Sequence, residues 1–167
     1  SDIHLKNILD LINGNRPNAS LDLPNEVIVN KDYDKMSFNI KSNYNSYKIL
    51  LDKDVILPNG KLVFVDSEES DSNYVCRLSK DDIKFPLYVR TRRNGDKIEV
   101  KNLNGKKKVK DIFIDSKLSI SMRNTYPLVT DSNDVIVWIP GLKKSKYNKE
   151  KDEKCDIIIK YVLKEEK

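Results

Sequence analysis

The apolar runs of this chain are short, and this feature limits the possible folds more than any other. The longest run covers residues 135–139, far from the roughly 20 apolar residues of a membrane-spanning helix. Other runs end at turn residues, as at Pro58-Asn59-Gly60, or alternate with polar side chains, as at Met36, Phe38 and Ile40. The pattern predicts an α+β protein built mostly of short antiparallel strands.

A few short helices complete this prediction. The first twelve residues place apolar side chains at helical spacing, which predicts a leading amphipathic helix that ends at Asn13-Gly14. Apolar side chains at positions i, i+3 and i+4 of residues 109–113 predict a short helix over residues 106–116. Residues 119–124 are predicted to form another.

Basic side chains are concentrated in residues 90–123. This window holds eleven Lys or Arg and four Asp or Glu, a net charge of +7, whereas the whole chain carries +5. A basic surplus confined to one window is typical of proteins that bind a polyanion, because Lys and Arg that neutralise phosphates release condensed counterions. A lysine-rich, solvated surface is the alternative interpretation.

An acidic, polar stretch at residues 67–73 separates regions of different charge. Residues 1–80 hold ten basic and twelve acidic side chains, and residues 81–167 hold twenty-one and fourteen. We therefore predict a central spacer region over residues 1–72, with a helix followed by short strands, and a basic C-terminal domain over residues 73–167.

The first candidate anion site follows the apolar residues 85–89, which predict a strand that ends in an Asn94-Gly95 turn. Alternation along that strand would place Arg90 and Arg92 on one face, where two guanidinium forks can hold a phosphate. Asp96 either orients one of these arginines or caps the turn through its own backbone.

The second candidate site is the lysine run at the start of the helix predicted over residues 106–116. Cations are unfavourable at a helix N-terminus, and a phosphate bound there would make them favourable. Neutralisation by other parts of the fold is the alternative. The candidate contacts to a polyanion are Arg90, Arg92, Arg93, Lys97, Lys106, Lys107, Lys108, Lys110, Lys117 and Arg123.

The chain offers few residues for nucleophilic or metal-dependent chemistry. His4 is the single histidine, and Cys76 and Cys155 are far apart without a CxxC partner, so neither a metal site nor a disulfide scaffold is predicted. None of the five glycines is adjacent to another, which excludes a glycine-rich phosphate loop. Asp81 and Asp82 would point to opposite faces of a strand, which argues against an independent hydrolase.

An ordered set of motifs resembles the C-terminal region of bacterial tRNA(Ile)-lysidine synthetase. Weaker similarity precedes them at Leu21-Asp-Leu-Pro24 and Tyr33. The motifs are Pro86-Leu-x-x-Arg-x-Arg-x-x-Gly-Asp96, then Lys107-Lys-x-Lys-Asp-x-Phe-Ile-Asp115-x-Lys117, then Arg123-x-x-x-Pro127-Leu, then Val137-Trp-Ile-x-Gly141.

The resemblance implies a ligase as the parent protein. That enzyme uses ATP, with magnesium, to adenylate the wobble cytidine of a minor isoleucine tRNA and then attaches lysine. We expect this chain to lack the N-terminal ATP-binding domain, to be inactive alone and to hold no cofactor or metal of its own. Its expected partners are tRNA(Ile), contacted at the acceptor stem, and the N-terminal catalytic domain of the same protein.

The resemblance also bears on structure and location. It implies a small sandwich-like C-terminal module, similar to one in phenylalanyl-tRNA synthetase. The first residues lack the basic start and apolar block of a signal peptide, so we predict a cytoplasmic protein. Residues expected to orient or support the site are Gly95, Asp96, Asp115, Pro127, Trp138 and Gly141.

A second functional hypothesis remains open at this point. The region could serve protein–protein contact or dimerisation, with its basic window facing acidic residues of a partner. Strand edges of a β-rich module can pair between chains in this way.

Overall fold

The computed structural model describes the strands at residues 18–23, 27–32 and 35–40, together with residues 46–165. The predicted leading helix, Pro24 and Tyr33 lie outside the described residues. In chain order the strands are β1 (Asn18–Leu23), β2 (Val27–Asp32), β3 (Lys35–Ile40), β4 (Lys48–Leu51), β5 (Val55–Leu57), β6 (Gly60–Val65), β7 (Val75–Leu78), β8 (Leu87–Arg90), β9 (Lys97–Glu99), β10 (Lys106–Lys108), β11 (Leu128–Thr130), β12 (Ile136–Ile139), β13 (Lys143–Lys144) and β14 (Ile157–Leu163), and the helices are α1 (Val109–Asp115) and α2 (Ile120–Thr125).

Short strands therefore dominate the described residues, and the α+β prediction is confirmed. The strand predicted after Pro58-Asn59-Gly60 is β6, and the alternating residues Met36, Phe38 and Ile40 lie on β3. No helix in this part of the chain is both long and apolar enough to cross a membrane.

The described residues divide into two compact units. The first unit contains β1, β2 and β3 together with the segment Lys117–Asn124. Its strands form an antiparallel sheet in the order β1-β2-β3, in which Val29 lies opposite Leu21 on one side and Phe38 on the other.

The second unit contains two sheets, formed by residues 46–116 and those from 125 onward. The larger sheet has the strand order β10-β9-β12-β11-β8-β4, and β13 pairs with β12. Its described pairs are antiparallel except β9 with β12, where Ile98 lies opposite Ile136. The smaller sheet has the order β5-β6-β14-β7 and is antiparallel throughout.

An apolar core joins the two sheets of the second unit. Leu87, Val89 and Trp138 come from the larger sheet, Leu62 and Ile159 come from the smaller sheet, and all five are almost completely buried. Burying a side chain of this size typically contributes about 1.5–3 kcal/mol, so the alternating apolar residues of both sheets stabilise a sandwich. Trp138 is therefore a core residue of the second unit.

The helix α1 buries its apolar face elsewhere in the second unit. Val109, Ile112 and Phe113 are its buried residues, as their spacing predicted, and none of them belongs to the core between the sheets. The Phe113 ring instead contacts the Tyr126 ring, with 5.4 Å between centroids.

The domain boundary predicted between residues 72 and 73 falls within the second unit. The strand β6 before it and the strand β7 after it both pair with β14, where Ile159 lies opposite Phe64 and Cys76. The acidic stretch between them is held by Arg77, whose guanidinium is buried and donates hydrogen bonds to the carbonyl oxygens of Glu68 and Ser70. The acidic composition of residues 67–73 indicated an exposed loop, but β6 and β7 on either side of it belong to the same sheet.

Candidate nucleic-acid interface

The hairpin of β9 and β10 presents the densest group of exposed cations in the predicted window. Lys106 lies opposite Glu99, Lys107 opposite Ile98, and Lys108 opposite Lys97. Residues directly opposite each other share one face of a sheet, so Lys97, Lys106 and Lys108 lie on the same face as Glu99. Ile98 faces the other way and is fully buried, which fixes the register.

This arrangement is not one that folding alone favours. Lys97 and Lys108 are both exposed and directly opposite each other, and like charges in that position destabilise a sheet. The hairpin also forms an edge of the larger sheet, because β10 is its terminal strand. A negatively charged ligand on this face would offset the repulsion.

The prediction that the lysine run occupies the first turn of a helix is wrong. Lys106–Lys108 forms the strand β10, and α1 begins only at Val109. Lys108 is the N-cap residue, with extended backbone and no side-chain hydrogen bond to the helix. Lys107 is half-buried and donates a 3.3 Å hydrogen bond to Asp115. The lysines therefore present their charges from a strand and not from the first turn of α1.

Arg90 lies inside the second unit instead of at its surface. Its side chain is 2 % exposed, and its Nη1 and Nη2 donate to the two carboxylate oxygens of Asp96 at 2.9 and 3.0 Å. Its Nε donates to Asp134 at 3.0 Å, and Nη1 also donates to the carbonyl of Thr91 at 3.1 Å. Burial disfavours the charged form, but the hydrogen bonds to Asp96 and Asp134 outweigh that effect and keep the pKa of Arg90 above its ordinary value.

The predicted pair of neighbouring guanidinium forks is therefore not formed. The strand β8 ends at Arg90, so Arg92 is not the next residue on one strand face. The Arg92 guanidinium lies instead 6.0 Å from the centroid of the Phe113 ring. Two carboxylates converge on Arg90 from separate turns, and this occupies the donors that a phosphate would need.

Asp96 has both of the roles considered for it. It accepts the paired hydrogen bonds of Arg90, and its Oδ2 also accepts the backbone N–H of Arg93 at 2.6 Å. The Asn94-Gly95 turn is closed by the Asp96 N–H, which donates to the Arg93 carbonyl at 3.2 Å. Gly95 has φ +84°, a conformation that glycine adopts without strain.

The remaining candidate cations differ in their surroundings. Arg93 is half-exposed, and its Nη1 donates to Asp134 at 3.2 Å, while Lys110 on α1 is exposed. Lys117 and Arg123 belong to the first unit. There Lys117 is exposed, whereas Arg123 is buried and donates through Nε to the carbonyl of Leu118 at 2.9 Å. We use the name basic surface for the exposed cations of the second unit within the window that form no salt bridge with any described residue other than Asp134: Arg93, Lys97, Lys106, Lys108 and Lys110.

The candidate supporting residues lie around the sheets. The Trp138 Nε1 and the Gly141 backbone N–H both donate to the carbonyl of Asn73, at 2.9 and 2.8 Å. Pro127 is buried, and Gly141 has φ +80°. These contacts are structural, because they fix where β12 ends relative to the start of β7.

Sequence reasoning missed Asp134 and Lys146. Asp134 lies in the turn between β11 and β12, and it accepts hydrogen bonds from both Arg90 and Arg93. Lys146 pairs with Glu99 at 2.5 Å, and this contact lowers the pKa of the Glu99 carboxyl. The sequence holds no signal for either pairing, because the partners are more than forty residues apart.

Comparisons with known proteins agree with this fold. Residues 87–160 match the family model of the TilS substrate C-terminal domain. A crystal structure of a TilS C-terminal domain superimposes with a TM-score of 0.67 and 28 % sequence identity, covering 73 % of this chain and 100 % of that one.

Two curated relatives extend the match along the chain. The tRNA(Ile)-lysidine synthase of Bacillus subtilis (strain 168) is 41 % identical over 153 residues, which cover 85 % of this chain and 32 % of the relative. The bifunctional protein TilS/HprT of Listeria monocytogenes serovar 1/2a is 35 % identical over 167 residues, which cover 95 % of this chain and 26 % of the relative. The chain thus spans about a third or less of the length of these relatives. It belongs to the tRNA(Ile)-lysidine synthase family, of which it represents the C-terminal part.

Proposed function

We propose that this chain binds tRNA(Ile) and positions it for a catalytic domain elsewhere in the same protein. That domain would use ATP and magnesium to attach lysine to the wobble cytidine, and the present chain would supply no chemistry of its own. Holding a substrate in a reactive orientation lowers the barrier by removing translational and rotational freedom before the reaction.

The exposed lysines on one face of the β9–β10 hairpin carry this proposal. Lys97, Lys106 and Lys108 project together from a face whose register is fixed by buried Ile98. A cluster of ammonium groups on a rigid strand pair suits the phosphate backbone of an A-form RNA helix, which proteins recognise by shape and phosphate spacing. Such contacts position the RNA and do not read its bases.

The proposed contact set is narrower than the set predicted from sequence. Arg90 is excluded as a direct contact because its guanidinium is buried and bound to Asp96 and Asp134. Lys107 is not included among the direct RNA contacts, because its ammonium group pairs with Asp115. The basic surface remains as the direct contact.

The basic surface also bears on the alternative of a dimerisation module. Its strand β10 is at the edge of the larger sheet, where a second chain could add a strand. Three consecutive lysines on an edge strand oppose such pairing, because two copies would bring like charges together. This edge therefore favours an anionic ligand over a second copy of the chain.

A salt titration of tRNA binding tests the proposal. We expect the 167-residue chain to bind tRNA(Ile) with a log–log slope of roughly −4, corresponding to about 5 neutralised phosphates. The proposed contact is the acceptor stem, as the family resemblance implies, so a hairpin of that stem should retain most of the affinity and an anticodon stem-loop should not. Fluorescence anisotropy measures both, and equal binding of the two hairpins would contradict the acceptor-stem assignment. A slope near zero would contradict phosphate binding altogether.

A further inference from the structure

An open cavity lies beside the β9–β10 hairpin, within the second unit. Its volume is about 270 Å³, and its polar lining comes from Asp96, Lys97, Glu99, Lys106 and Asp134. A water molecule occupies roughly 30 Å³ of liquid, so the cavity has room for a phosphate group and several waters.

Two of the lining carboxylates are neutralised from within the fold. Asp96 accepts the paired hydrogen bonds of Arg90, and Asp134 accepts one hydrogen bond from Arg90 and one from Arg93. Arg90 is buried and joins the two acids into one hydrogen-bonded network. Charge-assisted hydrogen bonds of this kind hold the two acids in place, so this wall of the cavity is fixed before any ligand arrives.

The charge that remains at the cavity is positive. Glu99 is paired with Lys146, whose hydrogen bond lowers the pKa of the Glu99 carboxyl, with a further contribution from the charge of Lys106. Among the described residues, neither Lys97 nor Lys106 forms a salt bridge. The two ammonium groups are thus the lining cations that form no salt bridge, although Lys106 lies directly opposite Glu99 and its charge acts on that carboxyl.

The same lining disfavours a divalent cation. No group of three or more His, Cys, Asp or Glu in the described part of the chain is arranged to hold a metal ion.

The Gly95 turn at the rim is open, because a Cβ atom built on Gly95 would meet no atom within 4 Å. Glycine at such a position lets a ligand approach the backbone closely.

We propose that this cavity binds one phosphodiester group of the RNA backbone. Lys97 and Lys106 would donate hydrogen bonds to its oxygens, and Arg90 would be a positioning residue that holds the carboxylate wall from below. The inference rests on the proposed function and deepens it, since it assigns a particular phosphate contact to a formed site within the broader basic surface.

A nuclear magnetic resonance titration of the isotope-labelled 167-residue chain tests the site directly. The probes are dimethyl phosphate, which represents a backbone phosphodiester, and inorganic phosphate. We expect both to shift the backbone amides of Gly95, Lys97 and Lys106, and we expect Lys97→Ala with Lys106→Ala to abolish these shifts. The matched control is Lys53→Ala with Lys61→Ala, which removes the same charge from exposed positions just before β5 and on β6.

Binding of tRNA(Ile) by the same variants ties the site to RNA. Loss of this one phosphate contact should make the log–log salt slope shallower by about 1 and weaken binding roughly 10-fold at moderate salt, with the control close to wild type. Denaturation midpoints of all variants check that each is folded.

The outcomes separate this inference from the proposed function. Absence of site-confined amide shifts with either probe overturns the cavity site. Shifts with inorganic phosphate alone, together with an unchanged tRNA slope in the double variant, overturn the RNA assignment in favour of a free phosphate ligand. Wild-type binding with the expected slope and no effect of the double variant overturns the cavity but leaves the proposed function standing. Failure of the wild-type chain to bind tRNA overturns both.

Discussion

At the scale of single residues, Arg90 shows how a basic residue in a basic window can be structural. Its guanidinium donates hydrogen bonds to Asp96, which follows the Asn94-Gly95 turn, and to Asp134, which lies in the turn between β11 and β12. Removing one partner of a buried ion pair leaves the other partner buried without compensation, which is the costly way to break such a pair.

We therefore expect Arg90→Ala to lower the free energy of unfolding by about 3–5 kcal/mol. Arg93→Ala is the matched comparison, because Arg93 pairs with the same Asp134 from a half-exposed position, where an ion pair contributes at most about 1 kcal/mol. Urea denaturation of both variants measures the difference. If Arg90→Ala kept wild-type stability and lost tRNA binding, Arg90 would be a phosphate contact after all.

Residue patterns predicted burial better than they predicted partners. Trp138 could be assigned to the core from its place in the apolar residues 135–139, and it is fully buried. Asp134 could not be linked to Arg90 from the sequence. Their contact depends on the pairing of β8, which ends at Arg90, with β11, which precedes Asp134.

At the scale of elements, turn signals were the most reliable part of the sequence. The Asn94-Gly95 turn and the turn before β6 both lie where Asn-Gly pairs predicted them. The lysine run before α1 was assigned to the helix because the spacing of apolar residues shows that a helix is present but does not show at which residue it begins. Its lysines instead pair with β9, and this pairing depends on a strand that the local pattern does not include.

Two glycines in turns of the second unit give an element-scale prediction. Gly95 and Gly141 both have positive φ, so alanine at either position should cost roughly 1–2 kcal/mol of backbone strain. A Cβ atom at Gly141 would also lie 2.9 Å from the Tyr74 ring, whereas one at Gly95 would meet nothing within 4 Å. We expect Gly141→Ala to cost about 1–3 kcal/mol more than Gly95→Ala in urea denaturation, because overpacking adds to the strain. Equal costs would mean that the Tyr74 ring moves aside freely.

At the scale of the whole molecule, the α+β class and the family were both accessible from sequence. Short apolar runs predicted the α+β class, and the ordered motifs from Pro86 to Gly141 indicated the family. The division into units was not accessible, because strand pairing places β5 and β6 in a sheet with β14, about a hundred residues later. The difference in net charge between residues 1–80 and 81–167 reflects which side chains are exposed, and it carries no information about which strands pair.

We propose that RNA binding by the whole molecule depends on one particular surface and not on the net charge of +5. The triple variant Arg93→Ala, Lys108→Ala, Lys110→Ala removes three cations of the basic surface that lie outside the cavity lining. The control triple Lys53→Ala, Lys61→Ala, Lys164→Ala removes three exposed cations near the smaller sheet and changes the net charge equally.

The deciding measurement is the salt dependence of tRNA(Ile) binding by these two triple variants. We expect the log–log slope of the first to be shallower than wild type by about 2–3 and that of the control to be unchanged, since each lost phosphate contact removes about 0.9 from the slope. Equal slopes for the two triple variants would contradict the basic surface as the RNA contact, because three of its five cations would then neutralise no phosphate.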